Sequence, residues 1–422
     1  MKVMLISVRA ETIAGPVFPM GLACIAAAAR RAGHDVIVKD MRPVEKTSVL
    51  SETIKEFYPD VIGISVRNID DQNMEEPSFL LDEAASALAE CRKLSKAPIV
   101  LGGAGFSIFP EAALSYVGAD MGIEGEGEIA FPALLDRLER GEDLAGLPGL
   151  HVAGQGLQGK RSFVRTLDGL PFPDYGDFPL SAAQRDLWVQ VQGGRGCPLG
   201  CSYCSTAAVE GRTKRKRSAD VLVRELGRLA AGGFRRFYFV DNTFNLPLTY
   251  AKEICRRIIE AGLDIRWMCI IYPAYVDEEF VRLMAEAGCR HASLGLESGS
   301  EKILRSMNKR FTPDDVRRAS HLLAECGINQ MGFLLLGGPG ETRETVEESI
   351  AFAESLKIDM VKATIGIRIY PGTELARTAA AEGVIAPDDN LLHPRFYLAK
   401  GLEEWLRERI RRWATERPKW VS

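Results

Sequence analysis

The sequence predicts an α/β fold in two parallel-sheet halves. An N-terminal doubly wound, Rossmann-like domain comes first, then a partial β/α barrel, then a short helical tail. Three observations predict it. Short apolar runs alternate with helical patterns along most of the chain, the order that builds parallel sheets. Those runs are apolar at consecutive positions, as strands covered on both faces are. A stretch rich in proline and glycine, residues 145–186, interrupts the alternation and separates the halves. The expected division is 1–145, 146–186, 187–385 and 386–422.

In the first half VMLISV (3–8), DVIVKDM (35–41), VIGISV (61–66) and IVLGG (99–103) read as strands. MGLACIAAAARRAG (20–33) reads as an alanine-rich helix closed by a C-cap glycine. Helices are also expected across 78–95 and near 110–117, and MGIEGEGE (121–128) completes the alternation. In the second half the candidate strands are LWVQVQ (187–192), FYFVD (237–241), IRWMCII (265–271), HASLGL (291–296), MGFLLLG (331–337) and KATIGIRIY (362–370). Amphipathic helices fall between them at 218–231, 249–261, 313–326 and 342–356. Six β/α units in about 200 residues suit a β/α barrel, complete or partial. The tail at 394–422 reads as a capping helix with a solvated basic face, and it carries Trp405, Trp413 and Trp420.

Composition narrows the functional classes. The 422 residues carry a net charge of -4 and a pI near 5.9, which is not the electrostatics of a general nucleic-acid binder. No apolar run approaches the ~18 residues of a membrane span. MKVMLISVRA runs straight into a strand, with no signal-peptide pattern. Of nine cysteines, six (Cys24, Cys91, Cys255, Cys269, Cys289 and Cys326) are scattered through core-like segments, as in a reducing cytoplasm.

The other three cysteines stand together in 193-GGRGCPLGCSYCSTAAVEGR-212, at Cys197, Cys201 and Cys204. Thiolates are soft ligands for zinc, copper or iron–sulfur clusters. A zinc site would need a distant fourth ligand. A Cys201–Cys204 redox pair would leave Cys197 unexplained. A [4Fe–4S] cluster held by three cysteines, with one iron left open, fits better. The triplet follows the first barrel strand, and barrel active sites lie at strand C-termini. Glycines at 193, 194 and 196 allow a tight path around a bulky cluster. The basic run 212-RTKRKR-217 reads as a solvated loop with Arg217 or a neighbour in an ion pair; an anion site is the alternative.

The CxxxCxxC spacing, with Tyr203 before the last cysteine, resembles the signature of the radical S-adenosylmethionine (SAM) superfamily. The segments 239-FVDNTFN-245, 294-LGLESGSEKILRSMNK-309, 332-GFLLLGGPGETRE-344 and 365-IGIRIYPGTELA-376 match its pattern in order, over about 187–385. The resemblance implies cluster ligation by Cys197, Cys201 and Cys204. It implies SAM contacts by Tyr203, Asp241, Asn242, Glu297 and Ser298, with a structural ion pair as the alternative for Glu297. Gly337-Gly338-Pro339-Gly340 is either an approach to adenine or a plain βα turn.

The first half resembles the cobalamin-binding domain that precedes the barrel in one branch of that superfamily. VIGISVRNIDD, IVLGGAGFSIFPEAAL and GADMGIEGEGEIAF follow it in order. The implied cobalamin-binding residues are Arg67, Asn68, Gly102, Gly103, Gly105, Ser107, Gly125 and Glu126. There is no G-x-G-x-x-G fingerprint for a dinucleotide. None of the histidines at 34, 151, 291, 321 and 393 has Asp two residues earlier, so the Asp-x-His-x-x-Gly motif that ligates cobalt from below is absent. Arg67 or Asn68 is then the candidate to sit beneath the corrin.

The resemblance implies a cytoplasmic enzyme using a [4Fe–4S] cluster, SAM and cobalamin. One SAM supplies a methyl group through cobalamin. A second is cleaved reductively to a deoxyadenosyl radical, and an unactivated carbon of a small molecule is methylated. The expected partners are that substrate and an external one-electron reductant of flavodoxin or ferredoxin type, with no nucleic acid. Rearrangement, cyclisation or redox chemistry is the alternative outcome, with the first half binding cobalamin or another ligand. A non-catalytic iron–sulfur carrier or sensor is the alternative of another class.

Overall fold

The computed structural model describes residues 1–8, 18–41, 47–177, 188–417 and 420–421, with the backbone alone at 47–49, 177 and 420–421. Most of the loop at 8–19, the end of the 146–186 stretch and the side chain of Trp420 lie outside the described residues.

Five parallel strands open the fold: Lys2–Ser7, Asp35–Asp40, Val61–Ser65, Ile99–Gly102 and Met121–Ile123. The first strand lies between the second and the third, so the chain order reverses there, the crevice where open sheets bind ligands. Side chains alternate across the strands. Val3, Leu5, Val61 and Val100 pack on one face with helices Met20–Arg31 and Gly127–Arg140. Met4, Ile6, Ile62 and Leu101 pack on the other with Thr47–Phe57 and Leu81–Leu94. Two short antiparallel strands, Leu150–Val152 and Gly156–Leu157, extend this sheet. The segment LPGLHVAGQGLQG, expected to be irregular, therefore contains a hairpin whose strands are too short and glycine-rich to show a period.

The second sheet holds Val189–Val191, Arg236–Phe239, Arg266–Ile271, Cys289–Glu297, Asn329–Leu336 and Met360–Ile365, all parallel and in chain order. Among the described residues its first and sixth strands do not pair, so the barrel is partial. KATIGIRIY is not one strand. It breaks at Gly366 (φ 72), where an added Cβ would lie 2.3 Å from Met74 Sδ. Ile367–Arg368 turns away to pair with Phe396–Tyr397. The intervening helices start cleanly: Ser218, Asp277, Thr312, Thr342 and Thr373 each accept a backbone N–H of the first turn. Such caps are worth about 1 kcal/mol each.

Along Cys289–Glu297, Ala292, Leu294 and Leu296 are buried toward the outer helices. By alternation Ser293, Gly295 and Glu297 face the barrel interior. The tail forms helix Glu403–Glu416, which buries Leu406, Ile410 and Trp413. Arg409 pairs with Glu347 at 2.6 Å and Trp413 Nε1 donates to Glu354 at 3.0 Å, so the tail caps helix Arg343–Ser355 as expected. Among the described residues no helix is long and apolar enough to cross a membrane.

Candidate active site

The cysteine loop leaves the first barrel strand through a two-residue hairpin, Gly194–Arg195 against Arg215–Lys216. Gly196 (φ 86) is required there, since a Cβ would lie 2.1 Å from Thr213 O. Its glycine serves chain packing, not clearance for a ligand. Cys197 N donates to Gly211 O at 3.0 Å. From the far side Met307-Asn308-Lys309 splints the loop: Ser202 N donates to Met307 O at 3.1 Å and Asn308 Nδ2 to Gly200 O at 2.6 Å.

The three thiols are half-buried. Burial pushes Cys197 and Cys201 up, and the Lys214 and Lys309 ammoniums pull against it. Together the three cysteines offer the thiolates that a four-iron cluster with one open iron takes.

Glu297 sits at a β-bulge with φ 59, which turns its carboxylate back over Gly295. Lys309 Nζ donates to Glu297 Oε1 at 2.8 Å and stands 5.1 Å from the centre of the Tyr203 ring. Burial opposes the Lys309 charge, but Glu297, Tyr203 and Cys201 outweigh it and hold its pKa well above the usual value. Lys309 closes the segment 294–309, yet nothing in its spacing marked it: it is one of two adjacent cations, with Arg310, between Met307 and Phe311.

Asp241 is buried, accepts from Gly193 N at 2.9 Å and stands 3.6 Å from Lys214 Nζ. Burial raises its pKa against Lys214 and the backbone donors. Asn242 donates to Glu210, which also accepts from Gly196 N at 2.9 Å. Both therefore shape the cysteine loop. The Ser298 hydroxyl is committed to Ser349 at 2.8 Å and to Ser300 N at 3.1 Å, which supports the bulge from behind. The run 212–217 is solvated only in part: Arg212, Thr213 and Lys216 are exposed, while Arg215, the expected ion-paired neighbour, meets Glu126 and is buried, as is Arg217, which donates to Leu167 O and Leu170 O at 2.7 and 3.0 Å.

At the carboxyl ends of the N-terminal strands a cavity of about 350 Å³ faces the barrel. Leu5, Ile64, Val100 and Phe131 form an apolar floor. Arg67, Gly102, Gly103, Gly125 and Glu126 of the expected cobalamin set line it. A Cβ on Gly102 would meet nothing within 4 Å, so a side chain there would enter free space. This apolar, glycine-rimmed hollow fits the flat ring systems of a corrinoid. Asn68, Gly105 and Ser107 stand behind it. Ser107 Oγ ties the loops together, donating to Gly103 O at 2.8 Å and accepting from Gly125 N at 2.9 Å. Among the described residues no histidine lines the cavity. Glu126 is in an ion-pair cluster: Arg215 Nη1 lies 2.6 Å from Oε1, Arg195 3.3 Å away, and Val164 N donates at 2.7 Å. Arg195 also meets Glu128 at 2.5 Å.

The Gly337–Gly340 segment is a capped turn. Gly337 N and Gly338 N donate to Glu341 Oε2, and a Cβ on Gly337 would lie 2.3 Å from Leu398 Cδ1. Burial pushes the Glu341 carboxyl up to about 7 against those donors, and its other oxygen is buried without a partner. The folded state holds this proton where the unfolded chain has released it. Stability falls as pH rises from near 4.5 to about 7 and then levels off. The fall is on the order of 3 kcal/mol. Urea midpoints measured from about pH 5 to pH 8 should decline, and the decline should flatten in Glu341→Gln.

Comparison with known proteins bears on this geometry. The radical SAM superfamily model matches residues 191–353, and the B12 binding domain model matches residues 6–135. An uncharacterized methyltransferase of Pyrococcus horikoshii is 32% identical over 375 residues, 87% of this chain and 79% of that protein. The cytidylyl-2-hydroxyethylphosphonate methyltransferase of Streptomyces wedmorensis is 26% identical over 441 residues, 89% of this chain and 80% of that protein. The radical SAM methyltransferase TsrM of Kitasatospora setae was solved with tryptophan substrate and a SAM analog bound. It matches with a TM-score of 0.81 at 27% identity, over 90% of this chain and 76% of that one. TsrM with cobalamin and a [4Fe-4S] cluster matches with a TM-score of 0.86 at 24% identity, over 100% and 90%, a likeness of fold. The chain therefore belongs to the radical SAM superfamily of enzymes, in the group that carries a B12-binding domain ahead of the radical SAM barrel.

Proposed function

We propose that this chain is a cobalamin-dependent radical SAM methyltransferase that methylates an unactivated carbon of a small molecule. One observation carries the reading. Gln192, Arg195 and Glu210, which flank the cysteine loop, line the N-terminal cavity. A cofactor in that cavity and a cluster on that loop would face one enclosed space between the halves. When bound, the cluster with SAM supplies a carbon-centred oxidant, and cobalamin supplies a transferable methyl group.

The residues of this chain bind, orient and exclude. Cys197, Cys201 and Cys204 are the cluster ligands. Tyr203, Glu297 and the Asp241-Asn242 turn form the wall where SAM would lie, with Ser298 supporting it. Arg67, Gly102, Gly103 and Gly125 surround the cobalamin site, and Asn68, Gly105, Ser107 and Glu126 hold its loops. Arg67, which lines the cavity, would bear on a cobalamin held there. The relatives methylate different molecules by name, so methyl transfer is the shared trait and the substrate is not inherited. The reading includes the four-part division of the chain given above, a cytoplasmic location, an external flavodoxin- or ferredoxin-type reductant and no nucleic-acid partner. Composition and the reduced cysteines support the location.

The test is anaerobic purification with cobalamin supplied, followed by SAM turnover under reductant. Stoichiometric cobalamin, about four irons per chain, and formation of both 5′-deoxyadenosine and S-adenosylhomocysteine are expected. Iron without cobalamin would refute the cobalamin reading, and absence of deoxyadenosine would favour an iron–sulfur carrier. Gly102→Phe, which fills the cavity, should keep the iron and lower bound cobalamin at least roughly tenfold.

A further inference from the structure

Lys309 is a cation with an unusual address. Its side chain is 6% exposed, yet the mechanism above assigns it nothing. Its neighbours are Glu297 Oε1 at 2.8 Å, the Tyr203 ring at 5.1 Å, and the Cys201 and Cys197 thiols, both of which feel its charge. It is also fixed in place. The residues before it, Met307 and Asn308, hydrogen-bond to Ser202 and Gly200 on either side of Cys201. Lys309 thus stays beside the loop that carries Cys201, with Glu297 as its counter-ion.

We propose that Lys309 is a positioning residue of the cysteine loop whose buried ammonium, held by Glu297 beside Tyr203 and Cys201, sets the reduction potential of the cluster bound there. The inference rests on the cluster reading given under Proposed function. The step it concerns is the uptake of one electron from an external one-electron donor, with no bond made or broken in the protein. Reduction adds one negative charge to the cluster. A buried positive charge beside a ligand sulfur stabilises that charge more than it would in water, and charge and hydrogen bonding at the sulfurs are what set such potentials. Lys309 thus raises the potential and eases reduction.

The test is a dithionite titration, with mediators, of the reconstituted full-length protein, followed by the paramagnetic resonance of the reduced cluster without SAM. Lys309→Met and Lys309→Gln should each show at least a tenfold lower ratio of reduced to oxidised cluster at a fixed potential, about 59 mV for one electron. Lys309→Arg should stay near the wild-type midpoint. Neutral variants that hold the full iron and sulfide with an unchanged midpoint would overturn the proposal. Folded neutral variants that cannot hold a cluster would overturn it too, since Lys309 would then be an assembly residue. A wild-type chain that assembles no four-iron cluster would instead sink the functional reading.

Discussion

Replacing Cys201 by alanine should abolish reductive SAM cleavage, by at least roughly a thousandfold, and take the iron content well below that of the wild type. Cys201 is the central ligand of the loop. It is flanked by the two contacts that splint the loop, Asn308 to Gly200 O at 2.6 Å and Ser202 N to Met307 O at 3.1 Å. With the sulfur gone, the remaining thiols Cys197 and Cys204 are two ligands for a cluster that needs three, and no other cysteine belongs to the loop. Cys326 is exposed and outside the site, so Cys326→Ala is the control and should keep both iron and activity. The readouts are iron and sulfide per chain and 5′-deoxyadenosine formed under reductant. If Cys201→Ala keeps full iron and cleaves SAM, the cluster assignment is wrong. Thermal unfolding of both variants separates loss of cluster from loss of fold.

The fold was largely legible because its strands are short, apolar and punctuated. Val61–Ser65 and Cys289–Glu297 fall where their buried runs place them. Helix Gly127–Arg140 was not read, since Gly125, Gly127 and an internal Pro132 look like a loop. The break at Gly366 was hidden because KATIGIRIY keeps a strand's polar–apolar alternation straight through the glycine, and the side chain that crowds Gly366, Met74, comes from the other half. At the site, the cysteines were legible from spacing and chemistry. The buried charges were not. Glu126 meets Arg215 from 89 residues away and Asp70 meets Arg368 from 298 away. A sequence shows that a residue is charged but not which distant residue will neutralise it. Glu126 was therefore expected at the cofactor, and Lys309 was passed over.

Glu126 provides the second large effect, and its two roles make opposite predictions. It lines the cavity, but it is also 5% exposed and bound to Arg215 and Arg195. If its main work were contact with a cofactor, Glu126→Ala would lower cobalamin affinity and leave the stability of the cobalamin-free protein alone. The geometry argues otherwise. The Arg215 side chain is 7% exposed, and without Glu126 it keeps, among the described residues, Val164 O at 2.9 Å, Glu210 O at 2.7 Å and the Phe163 ring. Removing one partner of a buried ion pair leaves a desolvated charge and typically costs 3–5 kcal/mol, more than the pair itself is worth. Glu126→Ala should therefore destabilise the cobalamin-free protein by about 3–5 kcal/mol, read from urea unfolding. Adding Arg215→Met removes the stranded charge, so the double variant should recover part of the loss. Because Arg195 and Arg215 form the hairpin that presents the cysteine loop, the same variant should also assemble its cluster poorly. A variant with unchanged unfolding and weakened cobalamin binding would return Glu126 to the cofactor.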